Sequence, residues 1–316
     1  MLKSIVFPGQ GSQKVGMGKE FYDSFVVAKD VFLNIDDSLS QNLSRIIFNG
    51  PLEELTLTEN TQPAIMAVSI AILEVLKKDF GFDLNNISFC AGHSLGEYTA
   101  LAATNTLSVR EVAKLLKNRG LSMQQALPKG KGAMAALIGI EIDKVKKLLE
   151  LLPNNLVCDI ANYNSINQIV VSGDTEAIDK LLVIAKEKKL KAIKLLVSAP
   201  FHCEYMKDTA KKLQNAFLSF DFNKPTIPII TNYTAKPFID VEDLKKSLIS
   251  QTFSTVKWYE SMNYMFNKNV NSFFEIGNGS TLSNIIKRMN APHHCTTNTL
   301  SSIKSIELFM RENNES

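Results

Sequence analysis

Apolar and polar positions alternate along this chain in two rhythms. Ser4–Phe7 is a short apolar run ended by Pro8-Gly9, which predicts a buried strand entering a turn. Residues 63–78 are almost continuously apolar and close on Lys77 and Lys78, as expected of a buried helix with Pro63 in its first turn. Ile87–Ala91 predicts a second strand, which stops at Gly92, and a helix follows from Leu95 to Ala103. Ser108–Ala126 predicts another helix, with Ser108 as N-cap and Glu111 three residues on completing a capping box.

The rhythm changes in the middle third. Ala133–Ile140 reads as a strand, Asp143–Leu152 as a helix closed by Pro153, Val157–Ala161 and Gln168–Ser172 as strands, Asp174–Lys189 as a Lys-rich amphipathic helix, and Lys191–Val197 as a last strand. This β-α-β-β-α-β order is that of a ferredoxin-like module. Strands at Ile227–Thr231 and Ser272–Ile276 and helices at Asp240–Ser250 and Leu282–Met289 return the last third to α/β texture. The organisation expected is an α/β domain split between 1–130 and 198–291, a module inserted at 131–197, and a polar tail over 292–316.

Composition narrows the class. The 316 residues are 45% hydrophobic and 21% charged with a net charge of +3, ordinary for a folded protein and too weakly basic to argue for nucleic acid. The N-terminal apolar stretch is broken at Pro8, too early for a signal-peptide core, and the longest apolar run, Ala64–Val75, is too short for a membrane span. Cys90, Cys158, Cys203 and Cys295 form no C-x-x-C pair, so a reducing cytoplasm is expected rather than a disulfide framework. His293, His294 and Cys295 could hold a metal, but no second ligand cluster supports them, and no metal is expected.

Gly92-His93-Ser94-Leu95-Gly96 matches G-x-S-x-G between a strand and a helix. In that setting a sharp turn presents the serine at a helix N-terminus, where free N–H groups can stabilise an oxyanion; the Leu95 N–H is the natural first donor. A serine hydroxyl needs a base. Of the four histidines, His93 adjoins the serine and faces away from it, and His293 and His294 fall in the polar tail. His202, on a loop after a predicted strand, is left.

Phe7–Gln13 (FPGQGSQ), Gly92–Glu97 (GHSLGE), Arg119-Gly120, Pro200-Phe201-His202, and Gln251 ahead of Val256-x-Trp258 occur together in this order. Over Leu2 to Met289 the chain resembles the malonyl-CoA:acyl carrier protein transacylases of dissociated fatty-acid synthesis. The resemblance implies Ser94 as nucleophile, His202 as base, the Gln10 and Leu95 amides as oxyanion hole, Arg119 as the binder of the malonyl carboxylate, and Gln251 as the residue whose carbonyl orients the histidine. It implies a hydrolase-like domain with a ferredoxin-like insert, ping-pong transfer from malonyl-CoA to an acyl carrier protein, and coenzyme A as substrate with no resident cofactor. A freestanding monomer is expected, without nucleic-acid or membrane partners. A planar arginine suits a carboxylate because it offers two parallel hydrogen bonds, and acetyl-CoA would leave it unpaired. Phe201 resembles the malonyl-selective pattern of related acyltransferase domains. Gly277-Asn278-Gly279 and Thr231-Asn232 stand where the family often has G-P-G and Ser-Asn, and are expected to be structural.

Other readings are weaker. Gly9-x-Gly11 lacks the third glycine of a dinucleotide loop, since position 14 is Lys14. An esterase of the α/β-hydrolase type would want an acid between serine and histidine, and Asp159 and Asp174 both fall in the inserted module. A scaffolding copy should have lost Ser94, His202 or Arg119, and an excised polyketide-synthase domain should carry flanking segments. Lys186, Lys188, Lys189 and Lys191 could meet an acidic carrier, or could be a solvated helix end.

Overall fold

The computed structural model describes residues 2–197 and 199–314. Position 198, the expected edge of the inserted module, lies outside them, as do residue 1 and the last two residues of the expected tail.

The chain opens with β1 (Leu2–Phe7) and four helices, α1 (Lys19–Ser24), α2 (Val26–Leu39), α3 (Leu43–Asn49) and α4 (Leu52–Thr56). The long helix α5 (Thr58–Lys78) leads to β2 (Ile87–Gly92), α6 (Leu95–Ala103) and α7 (Val109–Gln124). Then come β3 (Gly132–Ile138), α8 (Ile142–Leu149), β4 (Cys158–Ser165), β5 (Gln168–Asp174), α9 (Thr175–Glu187) and β6 (Lys191–Lys194). The last third holds α10 (Lys207–Phe217), β7 (Ile229–Ile230), α11 (Val241–Gln251), α12 (Trp258–Asn267), β8 (Val270–Ile276), α13 (Thr281–Lys287), β9 (Thr296–Leu300) and α14 (Ile303–Asn314).

Two sheets organise these elements. The first has order β7-β2-β1-β8-β9, and every pairing in it is parallel. Side chains alternate across a strand, so β1 feeds two cores. Ile5 and Phe7 join Phe274 against α2, α5 and α7, whereas Val6 joins Phe273 against α12 and α13. Burial on both faces explains why these strands read as apolar runs. The second sheet is antiparallel with order β4-β5-β3-β6. One face, with Ala135, Leu137, Ile169 and Val171, is covered by α8 and α9. The other carries Met134, Ala136 and Val170 to Met123, Phe201 and Met206 of the main body.

The capping box forms as expected: Ser108 Oγ accepts from the Glu111 N–H and the Glu111 carboxylate accepts from the Ser108 N–H at 2.8 Å. Four expectations change. The stretch 292–316 is not simply a polar tail: β9 pairs along β8, Leu300 and Ile306 are buried, and Phe309 meets Phe274 edge-on at 5.2 Å. The α5 helix begins at Thr58 rather than Pro63, because its first turn is tied down by the Asn60 and Thr61 N–H groups on the Leu57 carbonyl. The last strand of the module ends at Lys194, not Val197: the Leu195 N–H still bonds to the Met134 carbonyl, and the chain then turns with Leu196 fully exposed. The first helices, α1–α4, fill a stretch for which the apolar pattern predicts no element.

Candidate active site

Ser94 sits in the turn between β2 and α6 with φ 54° and ψ −107°. Such a backbone is strained for any residue with a Cβ, and its neighbours make room for it. A Cβ on Gly92 would lie 1.9 Å from the Gly96 carbonyl carbon, and one on Gly96 would lie 2.3 Å from the Phe7 carbonyl oxygen. Asn232, just after β7, clamps both ends of the turn: its Oδ1 accepts from the Ser94 N–H at 2.7 Å and its Nδ2 donates to the Gly92 carbonyl at 2.7 Å.

The Ser94 hydroxyl lies 2.8 Å from His202 Nε2, and His202 Nδ1 lies 2.8 Å from the main-chain carbonyl of Gln251. Since a carbonyl only accepts, Nδ1 carries the proton and Nε2 is free to take one from serine. His202 has φ 59°, so both members of the dyad occupy left-handed backbone. His93 is turned away: its Nε2 lies 2.9 Å from Asn164 Oδ1.

Arg119 projects from α7 to the same point. It is 2% exposed, and its Nη2 donates to Ser94 Oγ at 3.2 Å and to Gln251 Oε1 at 2.9 Å. Its Nη1 donates to Gln62 Oε1 at 2.7 Å, and Nε has no partner among the described residues. The Tyr98 ring lies beneath it, 5.1 Å away. All of its hydrogen-bond acceptors are neutral, and among the described residues Arg119 makes no ion pair. A buried cation held only by neutral groups keeps its charge for an incoming anion.

These groups open into a cavity of about 310 Å³ lined by Gln10, Leu95, Gln62, Met123, Met134 and Phe201 among others. Leu95 is the first residue of α6, so helix geometry leaves its N–H without an internal partner. Gln10 comes from the loop after β1, which Asn278 fastens by donating from Nδ2 to the Ser12 carbonyl. The structure thus brings Ser94, His202, Arg119, Gln10 and Leu95 to one cavity, with Gln251 bonded to Arg119 and His202 behind its wall. Sequence reasoning missed Gln62, Asn232 as a clamp on the turn, and Glu97. Gln62 ends the polar run Thr58-Glu59-Asn60-Thr61-Gln62 ahead of the predicted helix, and nothing in the pattern singled it out. The lysines at 186, 189 and 191 border a separate surface groove. His293 Nε2 lies 2.9 Å from the Val270 carbonyl.

Burial, reinforced by the charge of Arg119, lowers the His202 pKa from its ordinary 6.5 to about 3. As pH falls below 6.5 the unfolded chain protonates this residue and the folded chain does not, so stability falls across pH 6.5 to 3. Urea unfolding at successive pH values should show wild type losing up to about 1.4 kcal/mol per pH unit more than His202→Gln in that window. Equal slopes would mean that the ring protonates in place. Glu97 opposes this trend, because burial raises it to about 7, but it does so in both proteins and drops out of the difference.

The family model described as acyl transferase domain matches residues 5–306. The malonyl CoA-acyl carrier protein transacylase of Bacillus subtilis is 40% identical over 311 residues, covering 98% of this chain and 96% of that protein. The crystal structure of the acyl-carrier-protein-S-malonyltransferase of Bartonella henselae superposes with a TM-score of 0.94 at 40% identity, covering 99% of this chain and 100% of that one. A malonyl-transacylase in complex with a type II polyketide-synthase acyl-carrier protein superposes with a TM-score of 0.94 at 32% identity, covering 99% of this chain and 100% of that one.

Proposed function

The chain belongs to the acyl transferase domain family, among the malonyl CoA-acyl carrier protein transacylases, and we propose that it carries a malonyl group from malonyl-CoA to the phosphopantetheine thiol of an acyl carrier protein through an ester on Ser94. The observation that carries this reading is Arg119: a buried cation without a counter-ion among the described residues, 3.2 Å from the nucleophile, fits an acyl group that ends in a carboxylate.

His202 Nε2 takes the Ser94 proton as Oγ attacks the thioester carbonyl. The oxyanion is held by the Leu95 and Gln10 amides, and the tetrahedral intermediate collapses as the C–S bond breaks and the CoA sulfur takes the proton from His202. In the second half the carrier thiol gives its proton to His202 and attacks the malonyl ester, and Ser94 leaves with that proton. The Gln251 carbonyl keeps the ring in the required tautomer throughout. A malonyl carboxylate on Arg119 also offsets the positive charge that depresses His202, so the base strengthens when substrate is bound.

The second sheet supports a ferredoxin-like reading of the inserted module, with β3-α8-β4-β5-α9-β6 in chain order and α8 and α9 on one face. The hydrolase-like reading of the main body rests on the parallel sheet and the strand–turn–helix at Ser94. Four free thiols suit a reducing cytoplasm. Among the described residues no helix is long and apolar enough to cross a membrane.

Incubation with malonyl-CoA alone, followed by intact-mass measurement, tests the proposal. One malonyl adduct per chain should form with a single burst of CoA and discharge on addition of a phosphopantetheinylated carrier. Steady CoA release without an adduct would make the protein a thioesterase instead.

A further inference from the structure

Glu97 lies one turn beyond the nucleophile on α6 and is completely buried. Its Oε2 accepts from Gln251 Nε2 at 3.0 Å and from the Asn232 N–H at 3.0 Å, while Oε1 has no partner among the described residues. Gln251 Nε2 also donates to the Ser94 carbonyl at 2.9 Å, leaving its Oε1 to face Arg119 Nη2 at 2.9 Å.

A primary amide can turn about its last bond and present either end. Two acceptors, the Ser94 carbonyl and Glu97, hold the NH2 end of Gln251 on the side away from Arg119. We propose that Glu97 is a positioning residue for malonyl selection, fixing the direction of the Gln251 amide and through it the aim of Arg119 at the substrate carboxylate. This rests on the assignment of Arg119 above. Were the amide reversed, its N–H donors would oppose the guanidinium, and the arginine would swing out of line with Ser94. A direct Glu97–Arg119 ion pair would aim the arginine too, but would consume the charge that the malonyl group needs; the neutral amide between them transmits direction and leaves the charge free. The main-chain carbonyl that orients His202 belongs to the same residue but does not depend on its side chain.

The test compares malonyl and acetyl loading of Ser94, measured as second-order rates from the respective CoA esters. Glu97→Met, which keeps length and loses the acceptor, should lower malonyl loading roughly 10- to 100-fold and leave the slow acetyl loading nearly unchanged. Glu97→Gln, which can keep an acceptor oxygen in place, should restore malonyl loading. In an Arg119→Ala background Glu97→Met should cause no further loss of malonyl loading. If Glu97→Met does not fold, Glu97→Ala, which also removes the acceptor, should give the same malonyl-selective loss. Equal loss for both acyl groups, or a loss that persists without Arg119, would overturn the proposal. Failure of the Arg119 assignment itself reads differently, as an Arg119→Ala single variant that loads malonyl normally.

Discussion

Ser94→Ala is expected to show no malonyl adduct and to transfer malonyl groups at a rate lower by roughly 10⁴-fold or more, the scale at which loss of a catalytic serine leaves only binding and oxyanion contacts. The hydroxyl is the sole atom removed, and it lies at hydrogen-bond distance from both His202 Nε2 and Arg119 Nη2. No nearby group can replace it. Burial pushes the Cys90 thiol to about 12 and the Cys203 thiol to about 11, so neither supplies thiolate at neutral pH. The fold should survive, since the clamp on the turn uses the main chain of Ser94 and the side chain of Asn232. Intact mass after malonyl-CoA exposure, beside a circular-dichroism melt, makes the check. A persistent adduct would place the nucleophile elsewhere.

Arg119→Ala should reverse the acyl preference. Truncating one partner of a buried, hydrogen-bonded charge pair costs about 2–5 kcal/mol, or roughly 30- to 5,000-fold in kcat/KM for malonyl-CoA. Acetyl-CoA should gain or hold steady, because wild type binds it with the guanidinium still lacking an anion. Arg119→Lys should recover only part of the malonyl rate: a point charge on a flexible stem cannot reproduce the fork that now spans Gln62, Gln251 and Ser94. Competition between the two CoA esters, read as the ratio of adduct masses, measures the preference directly. An unchanged ratio would assign Arg119 to structure alone.

Much of this site was legible because its chemistry needs particular residues at particular breaks in the hydrophobic pattern. Ser94 is flanked by glycines that only a tight strand–helix turn demands, and His202 emerged because few histidines compete with it. The resemblance supplied Arg119, Gln10 and Gln251. Gln62, Asn232 and Glu97 were not legible in their roles, because a polar side chain inside a helix or after a short strand reads as surface until its partners are known. The same holds for the fold. The α7 helix announced itself through its capping box, whereas α1 has Gly18 at its N-cap with no side-chain cap and α4 is only five residues long. The β9 strand is TTNTL, with Leu300 its one buried residue; it is a strand because β8 offers a ladder, not because its own pattern asks for one.

The parallel sheet also has a temporal consequence. The central strand β1 is made before the other strands, yet one of its neighbours is β8, which follows β2 to β7 in the chain, and β8 in turn pairs with the still later β9. During synthesis β1 and β2 can pair early, but the β1 flank that Phe273 and Phe274 will cover waits until most of the polypeptide has emerged. Such long loops must close before their contacts reward them, which slows folding and exposes an unpaired edge to other nascent chains. A chaperone that shields β1 during that interval should therefore raise the yield of soluble protein more than one that acts after release.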